Sequence, residues 1–246
     1  MRRRKFAKNL GLGFVSIQYL PQFFSLLENK EQNFLIGKSK SSRFQKIDNQ
    51  FLEKKTAKQF VKLQEAAFND GVDIQIASAF RSFNRQKQIF ESKLKALQKE
   101  NITTLNAIHQ IINYSSIPGT SRHHWGTEID IIEKKESNIH VNDLLSEKHF
   151  NEEGRFNNLH KWMTKNAAEF GFYLTYTNDA ERTGYLYEPW HYSYLPSSKK
   201  YLESYIELNI PKIIKKEKVI GFDVLDEVFF NDYITNYVLG INTILK

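Results

Sequence analysis

The chain is predicted to be an α+β protein: a small antiparallel sheet with helices packed on one side, followed by a helical extension. Two observations lead there. Its helical and strand patterns run in the order helix, strand, helix, helix, strand, helix, strand, strand, without the regular alternation of βαβ units. Its strand segments are short, rich in β-branched or aromatic residues, and entered through glycine or proline. Length and composition agree, since 246 residues with 41% hydrophobic and 26% charged side chains can bury a substantial core. The expected boundaries are an N-terminal segment and linker over 1–30, a main domain over 31–196 and a C-terminal extension over 197–246.

Taken in order, 29–42 is polar and Lys/Ser-rich, a linker with one apolar stretch at Phe34-Leu35-Ile36. Residues 54–69 have helical periodicity, with Phe60, Leu63, Ala67 and Phe68 expected toward a core and Gly71 stopping the helix. Residues 72–78 alternate as a strand, 84–100 form a second helix and 104–112 a third. Residues 127–132 read as a short buried strand entered through Gly126, with Ile129 and Ile131 on one face and Glu128, Asp130 and Ile132 on the other. A helix over 157–170 is stopped by Gly171, and a strand follows at 172–174. Residues 175–184 form a polar loop, expected to rim a cleft, with the segment Arg182 to Tyr185 offered to a substrate. After Pro189 a strand places Trp190, Tyr192 and Tyr194 on one face and His191, Ser193 and Leu195 on the other. Helices are expected over 197–208 and 223–239.

Composition narrows the function. The formal charge is +7, but residues 1–28 hold five of the 35 basic side chains and one of the 28 acids. That leaves 30 basic and 27 acidic side chains, a balance too weak for a polyanion binder, so no nucleic-acid partner is expected. Absence of cysteine excludes a disulfide framework and a thiol nucleophile. No 18-residue apolar run predicts a membrane span. Nothing in the sequence sets an oligomeric state. Arg3-Arg4-Lys5-Phe6-Ala7-Lys8 resembles the bacterial twin-arginine export pattern and precedes a moderately apolar, Gly-containing stretch. An exported protein, in the periplasm or cell envelope, is therefore expected.

The chemistry is concentrated in two segments, 121–130 and 188–191. Together they can supply two imidazoles, a carboxylate and a spare carboxylate from three histidines and three acids. A hydrolytic metal site needs three protein ligands, an open position for water, and a base. His123 lies across the Gly126 bend from Asp130, and His191 opens the later strand, so these three are assigned as ligands. Glu188, three residues before His191, is assigned as general base. His124 neighbours His123 and is the alternative imidazole. Glu128 is either a fourth ligand or an acceptor for a ligand imidazole, the second leaving the water position open. Arg81, at a strand-to-helix junction, can fork onto a carboxylate or stabilise an oxyanion; its plain alternative is a surface ion pair. His109, His140, His149 and His160 carry no such pattern.

The run 118–130 resembles the S-x-H-x-x-G-x-x-x-D signature of the VanY-like zinc D-alanyl-D-alanine carboxypeptidases. Glu188-Pro189-Trp190-His191 is similar to that family's E-x-W-H, and Ser78-Ala79-Phe80-Arg81-Ser82, followed by Gln86, to its S-x-x-R-S segment. The three blocks stand in family order between residues 60 and 196. The resemblance implies a hedgehog/D,D-peptidase-like fold and Zn2+ on His123, Asp130 and His191, with Glu188 as catalytic base. It also implies that Arg81, Ser121 and Gln86 serve a peptidoglycan stem peptide near its scissile bond or terminal carboxylate. Two positions depart from the pattern: Glu128 where many relatives carry a small residue, and Ser193 where arginine is common. Both bear on substrate preference. Neighbouring readings are an L,D-carboxypeptidase, a wall endopeptidase, or a non-catalytic zinc-containing wall-binding module, which retention of Glu188 disfavours. A non-haem iron site would use two His and a carboxylate too, but its close His-x-carboxylate spacing is missing.

Overall fold

A computed structural model describes residues 29–39, 42–134 and 144–246. The N-terminal export-like segment and His140 lie outside the described residues.

A helix, α1, over 29–35 leads to a hairpin of β1 (Phe44–Ile47) and β2 (Gln50–Glu53). Helix α2 (Lys54–Asn69) follows, capped by the Glu53 carboxylate, which accepts from the amides of Lys55 and Thr56. Next come β3 (Ile74–Ser78), α3 (Phe83–Lys99) and α4 (Thr104–Ile112), then a 3-10 turn over Arg122–Trp125. The central strand β4 (Glu128–Glu133) is followed by α5 (Asn157–Asn166), β5 (Phe172–Leu174) and β6 (His191–Tyr194). Helices α6 (Leu195–Ile206), α7 (Ile210–Lys215) and α8 (Glu227–Tyr233), with a π-turn at Ile234–Val238, complete the chain.

The main sheet is antiparallel, in the order β3-β4-β6-β5. Ile129, Ile131, Phe172 and Tyr192 pack with Phe60 and Leu63 of α2 and Leu159 and Met163 of α5. The hydrophobic alternation of β4 and β6 thus buries one sheet face under two helices and leaves His191 and Asp130 on the other. A second core gathers Phe90 of α3, Ile108 of α4, Trp125, Tyr205 of α6, and Phe222 and Phe230 near the C-terminus.

Three expectations change. Phe34, Leu35 and Ile36 are fully buried in the second core and close α1, so the stretch read as a linker is structural. Phe68 is 67% exposed, because it falls on the outer face of α2 while Ala67 faces inward. The segment expected as one helix over 223–239 is divided into a 3-10 turn, α8 and the π-turn, and α7 was not anticipated.

Gly126 joins the hairpin to the site turn. Its φ is +70°, its carbonyl accepts from the Glu53 amide at 2.8 Å, and a Cβ there would lie 2.9 Å from that same nitrogen. Gly126→Ala combines a left-handed backbone with a backbone collision, and is expected to cost about 2 kcal/mol or more. For a chain of this size that lowers Tm by on the order of 5 °C in a thermal melt, where an unchanged Tm would contradict the account.

Candidate active site

Strand pairing does most of the assembly. Asp130 of β4 stands directly opposite His191 of β6, and Ser78, at the end of β3, is paired with Asp130 from the other side. Cross-strand partners hold their side chains about 5 Å apart on the same face. His123 arrives from the 3-10 turn, where its carbonyl accepts from the Arg81 amide at 3.0 Å and its Nδ1 donates to the Ala79 carbonyl at 2.7 Å. That bond fixes the tautomer and leaves Nε2 facing Asp130 Oδ2 at 3.3 Å.

His191 is oriented from the opposite end. Its Nε2 lies 3.1 Å from Glu128 Oε2, and its Nδ1 lies 3.0 Å from Glu188 Oε2 and 3.4 Å from Asp130 Oδ1. One ligand atom each from His123, Asp130 and His191 falls within 4.8 Å of the others, all three residues buried. Asp130 Oδ1 accepts no hydrogen bond from the described residues. A buried carboxylate with one oxygen lacking a donor, facing an imidazole nitrogen at each oxygen while the far nitrogens are engaged, fits a divalent cation with nitrogen and oxygen ligands.

Glu128 is fully buried, accepting four hydrogen bonds and pairing with one guanidinium. Thr127 Oγ1, Ser193 Oγ and Arg122 Nη2 reach Oε1 at 3.1, 2.7 and 3.1 Å, and Thr175 Oγ1 and His191 Nε2 reach Oε2 at 3.2 and 3.1 Å. Burial alone would raise its pKa, but the Arg122 guanidinium and the His191 imidazole outweigh that and hold it well below the usual carboxylate range. Asp130 is held at about 2: burial opposes ionisation, and His123, His191 and Arg81 overcome it. His191, although burial would depress it, is pushed up to about 10 by Glu128, Glu188 and Asp130. With both oxygens occupied, Glu128 is an orienting acceptor for His191, the second of its two anticipated roles.

The two adjacent imidazoles are separated by their surroundings. His124 is buried, its Nδ1 donating to the Arg81 carbonyl at 2.6 Å and its Nε2 accepting from the Gly119 amide at 3.1 Å. Burial drops its pKa to about 3, so it is neutral, with neither nitrogen free to ligate.

Arg81 lies beside the cluster, Nη2 3.8 Å from Asp130 Oδ2, held by Ser78 Oγ and by Gln86 Oε1 at 3.0 Å each. A cavity of about 440 Å³ opens here, lined by Arg81, Ser121, Glu188 and the metal-cluster residues, with tyrosines 114, 176 and 185 among its walls. Gln86, expected to touch substrate, does not line the cavity. It is buried, spending its amide on Arg81 and on the Ser116 carbonyl, so it steadies the arginine instead. Of the segment Arg182 to Tyr185, only Tyr185 lines the cavity. Arg182 turns away to the carbonyls of Thr177 and Gly240. His109, His149 and His160 are absent from the lining as well. Sequence reasoning missed Arg122, Thr175 and Tyr176, whose ring sits 4.8 Å from that of His191. The signal for Arg122 was present: two opposite charges, Arg122 and Glu128, in a run otherwise bound for the interior.

Comparison with known proteins places this geometry. The family model for VanY, D-alanyl-D-alanine carboxypeptidase, matches residues 49–197, more than half of the chain. Over 134 residues the chain is 31% identical to a D-alanyl-D-alanine carboxypeptidase of Enterococcus faecalis, covering 54% of this chain and 44% of that one. Over 177 residues it is 25% identical to YodJ of Bacillus subtilis, covering 72% of this chain and 58% of that protein. The chain thus spans about half the length of these curated relatives. A solved mutant of the vancomycin-resistance D,D-pentapeptidase VanY, in complex with Zn(II), is 26% identical with a TM-score of 0.51, over 68% of this chain and 90% of that one.

His123→Ala is expected to abolish stoichiometric metal in dialysed protein, read by elemental analysis. His124→Ala should retain the metal and instead lose about 1–3 kcal/mol of stability, because it strands the buried Gly119 amide and Arg81 carbonyl. The reverse pattern would exchange the roles of the two imidazoles.

Proposed function

The chain belongs to the VanY family of D-alanyl-D-alanine carboxypeptidases, and from that premise we propose that it is a zinc-dependent peptidase removing the terminal D-amino acid of peptidoglycan stem peptides. The observation that carries this reading is the convergence of His123, Asp130 and His191 within 4.8 Å at a cavity that also holds the Glu188 carboxylate. A Zn2+ held by His123 Nε2, an Asp130 oxygen and His191 Nδ1 would supply a Lewis acid that brings the pKa of its water to about 7.

The chain's own groups supply the rest. Glu188 lies on the turn entering β6, tied there because its amide donates to the Tyr176 carbonyl at 3.1 Å and its carbonyl accepts from the His191 amide at 3.0 Å. Its carboxylate is the base for the attacking water and then passes that proton to the leaving amine. Arg81, 3.8 Å from Asp130 Oδ2, is placed to meet the developing oxyanion or the terminal carboxylate one residue beyond it. Gln86 and Ser78 hold that guanidinium in place, so little reorganisation is needed as charge develops. Ser121, buried at the cavity wall, offers a hydroxyl to the peptide end.

A stem-peptide substrate lies outside the cytoplasmic membrane, so the proposed activity is extracytoplasmic. The twin-arginine-like segment Arg3 to Lys8 would provide the export route. Among the described residues no helix is long and apolar enough to cross a membrane.

Glu188→Gln should keep stoichiometric zinc and lower hydrolysis by a factor on the order of 100 to 10,000. Undiminished turnover, or loss of the metal, would remove Glu188 from its role.

The reaction is tested by incubating zinc-loaded protein with wall-peptide fragments and reading products by mass. Release of a single C-terminal D-alanine is expected, and amidating that terminus should cost most of the activity. Equal cleavage of the free acid and the amide would identify an endopeptidase, and no product from any fragment would leave a binding module.

A further inference from the structure

The family match ends at residue 197, yet side chains well beyond it reach the walls of the cavity. Tyr233, on α8, is 1% exposed, and its hydroxyl has three partners. The Ile117 amide donates to it at 3.1 Å, Thr120 Oγ1 lies at 2.9 Å and the Tyr185 hydroxyl at 2.6 Å. Thr120 Oγ1 donates to the Ile117 carbonyl at 2.8 Å, which uses its only proton. Tyr233 therefore donates to Thr120 and accepts from both Ile117 and Tyr185, so its oxygen is saturated.

These partners belong to two different walls. The segment around Thr120 carries Ser116 and Ser121 into the cavity lining, and Tyr185 lines it from the loop before β6. Tyr233 itself is fixed by stacking on Tyr237, centroids 5.2 Å apart and planes 17° apart, and Tyr237 also packs edge-on against Tyr185 at 5.4 Å. The same C-terminal stretch secures the rim loop, since the Asn242 amide donates to the Thr175 carbonyl at 2.9 Å and Thr183 Oγ1 to the Asn236 carbonyl at 3.1 Å. Tyr205 of α6 adds a bond from its hydroxyl to the Gly119 carbonyl at 2.8 Å. None of the Tyr233 bonds goes to His123, Asp130, Glu188 or His191.

We infer that Tyr233 is a positioning residue for substrate: one hydroxyl ties the Ser121 wall to the Tyr185 wall and so sets which peptide ends the cavity accepts. The effect on substrate rests on the peptidase reading above, whereas the clamp between the walls does not. A group that holds the walls without touching the reacting centre acts on binding more than on turnover.

The test compares Tyr233→Phe with Tyr237→Phe in the full zinc-loaded chain. Tyr237 is a fair control because, among the described residues, its hydroxyl donates to Asn113 Oδ1 alone, at 3.3 Å on the surface. Tyr233→Phe should keep stoichiometric zinc, raise KM about tenfold and leave kcat within about threefold, the scale of a lost hydrogen bond. Tyr237→Phe should leave both unchanged. Amide hydrogen exchange on the metal-free protein provides an independent readout: faster exchange at Ile117, Thr120 and Tyr185 is expected in Tyr233→Phe alone. Faster exchange at both walls with no hydrolysis by any form, the unmutated protein included, would uphold the clamp and remove the peptidase reading. Unchanged exchange at the walls, or a fall in kcat at constant KM, would overturn the inference. If Tyr233→Phe does not fold, Thr120→Val removes a single bond of the three and carries the same expectations, with KM raised about threefold.

Discussion

A buried carboxylate governs the arrangement of this site. Taking an ion such as Glu128 out of water costs several kcal/mol, and it is tolerated only when its lone pairs are met by well-placed donors. Here the five partners, four donors and one guanidinium, come from four separate places: the turn before β4, the entry to β4, the end of β5, and β6. Each of those segments must therefore be in position for the charge to be tolerated. The His191 imidazole is one of the five, so the direction of its other nitrogen follows from satisfying the carboxylate behind it.

Arg122 is the other half of that constraint. It is buried with Nη2 shared between Glu128 and Ser193, its guanidinium 4.9 Å from the Trp125 ring, while its Nε and Nη1 find no partner among the described residues. Cancelling Glu128 with Arg122 removes one negative charge from the balance and leaves Asp130 and Glu188 facing two imidazoles. Burial disfavours the charged ring, but Glu128, then Glu188 and Asp130, push the His191 pKa up to about 10. A place that binds a proton so firmly is also one where a divalent cation is favoured, with the proton released as the cation enters. Ser193 belongs to the same balance. A second guanidinium on β6 would compete for Glu128, whereas a serine hydroxyl donates to it at 2.7 Å and adds no charge.

The chemistry was legible in the sequence because its residues cluster in short runs. The glycine bend, the period-2 alternation of β4 and β6 and the His and carboxylate spacings are local patterns, and helices α2 and α4 end where their periodicity and flanking residues end. Local patterning could not separate His123 from His124. That choice depends on which ring meets the carbonyl of Arg81 and the amide of Gly119, and which keeps a nitrogen toward Asp130. Gln86 was misread for a related reason: its partner Ser116 is thirty residues away, and no motif shows an amide turned inward. The apolar triplet Phe34 to Ile36 looked like an incident within a polar linker because the core that buries it is built from residues past 80.

Chemistry and cleft are encoded at different ranges. His123, Asp130 and His191 lie within a contiguous match that ends at residue 197, and adjacent strands bring the last two together. The walls are held from outside that match, by Tyr205, Tyr233 and Asn242, each at least 48 residues from the group it bonds. Gly184 shows how close this second layer comes: its φ is +85°, and a Cβ there would run into the backbone of Asn236 and Tyr237. Packing at backbone contact leaves no room for the rim to shift by itself. Changes in the C-terminal helices can therefore reshape the cavity while leaving Asp130 and His191 where the sheet puts them.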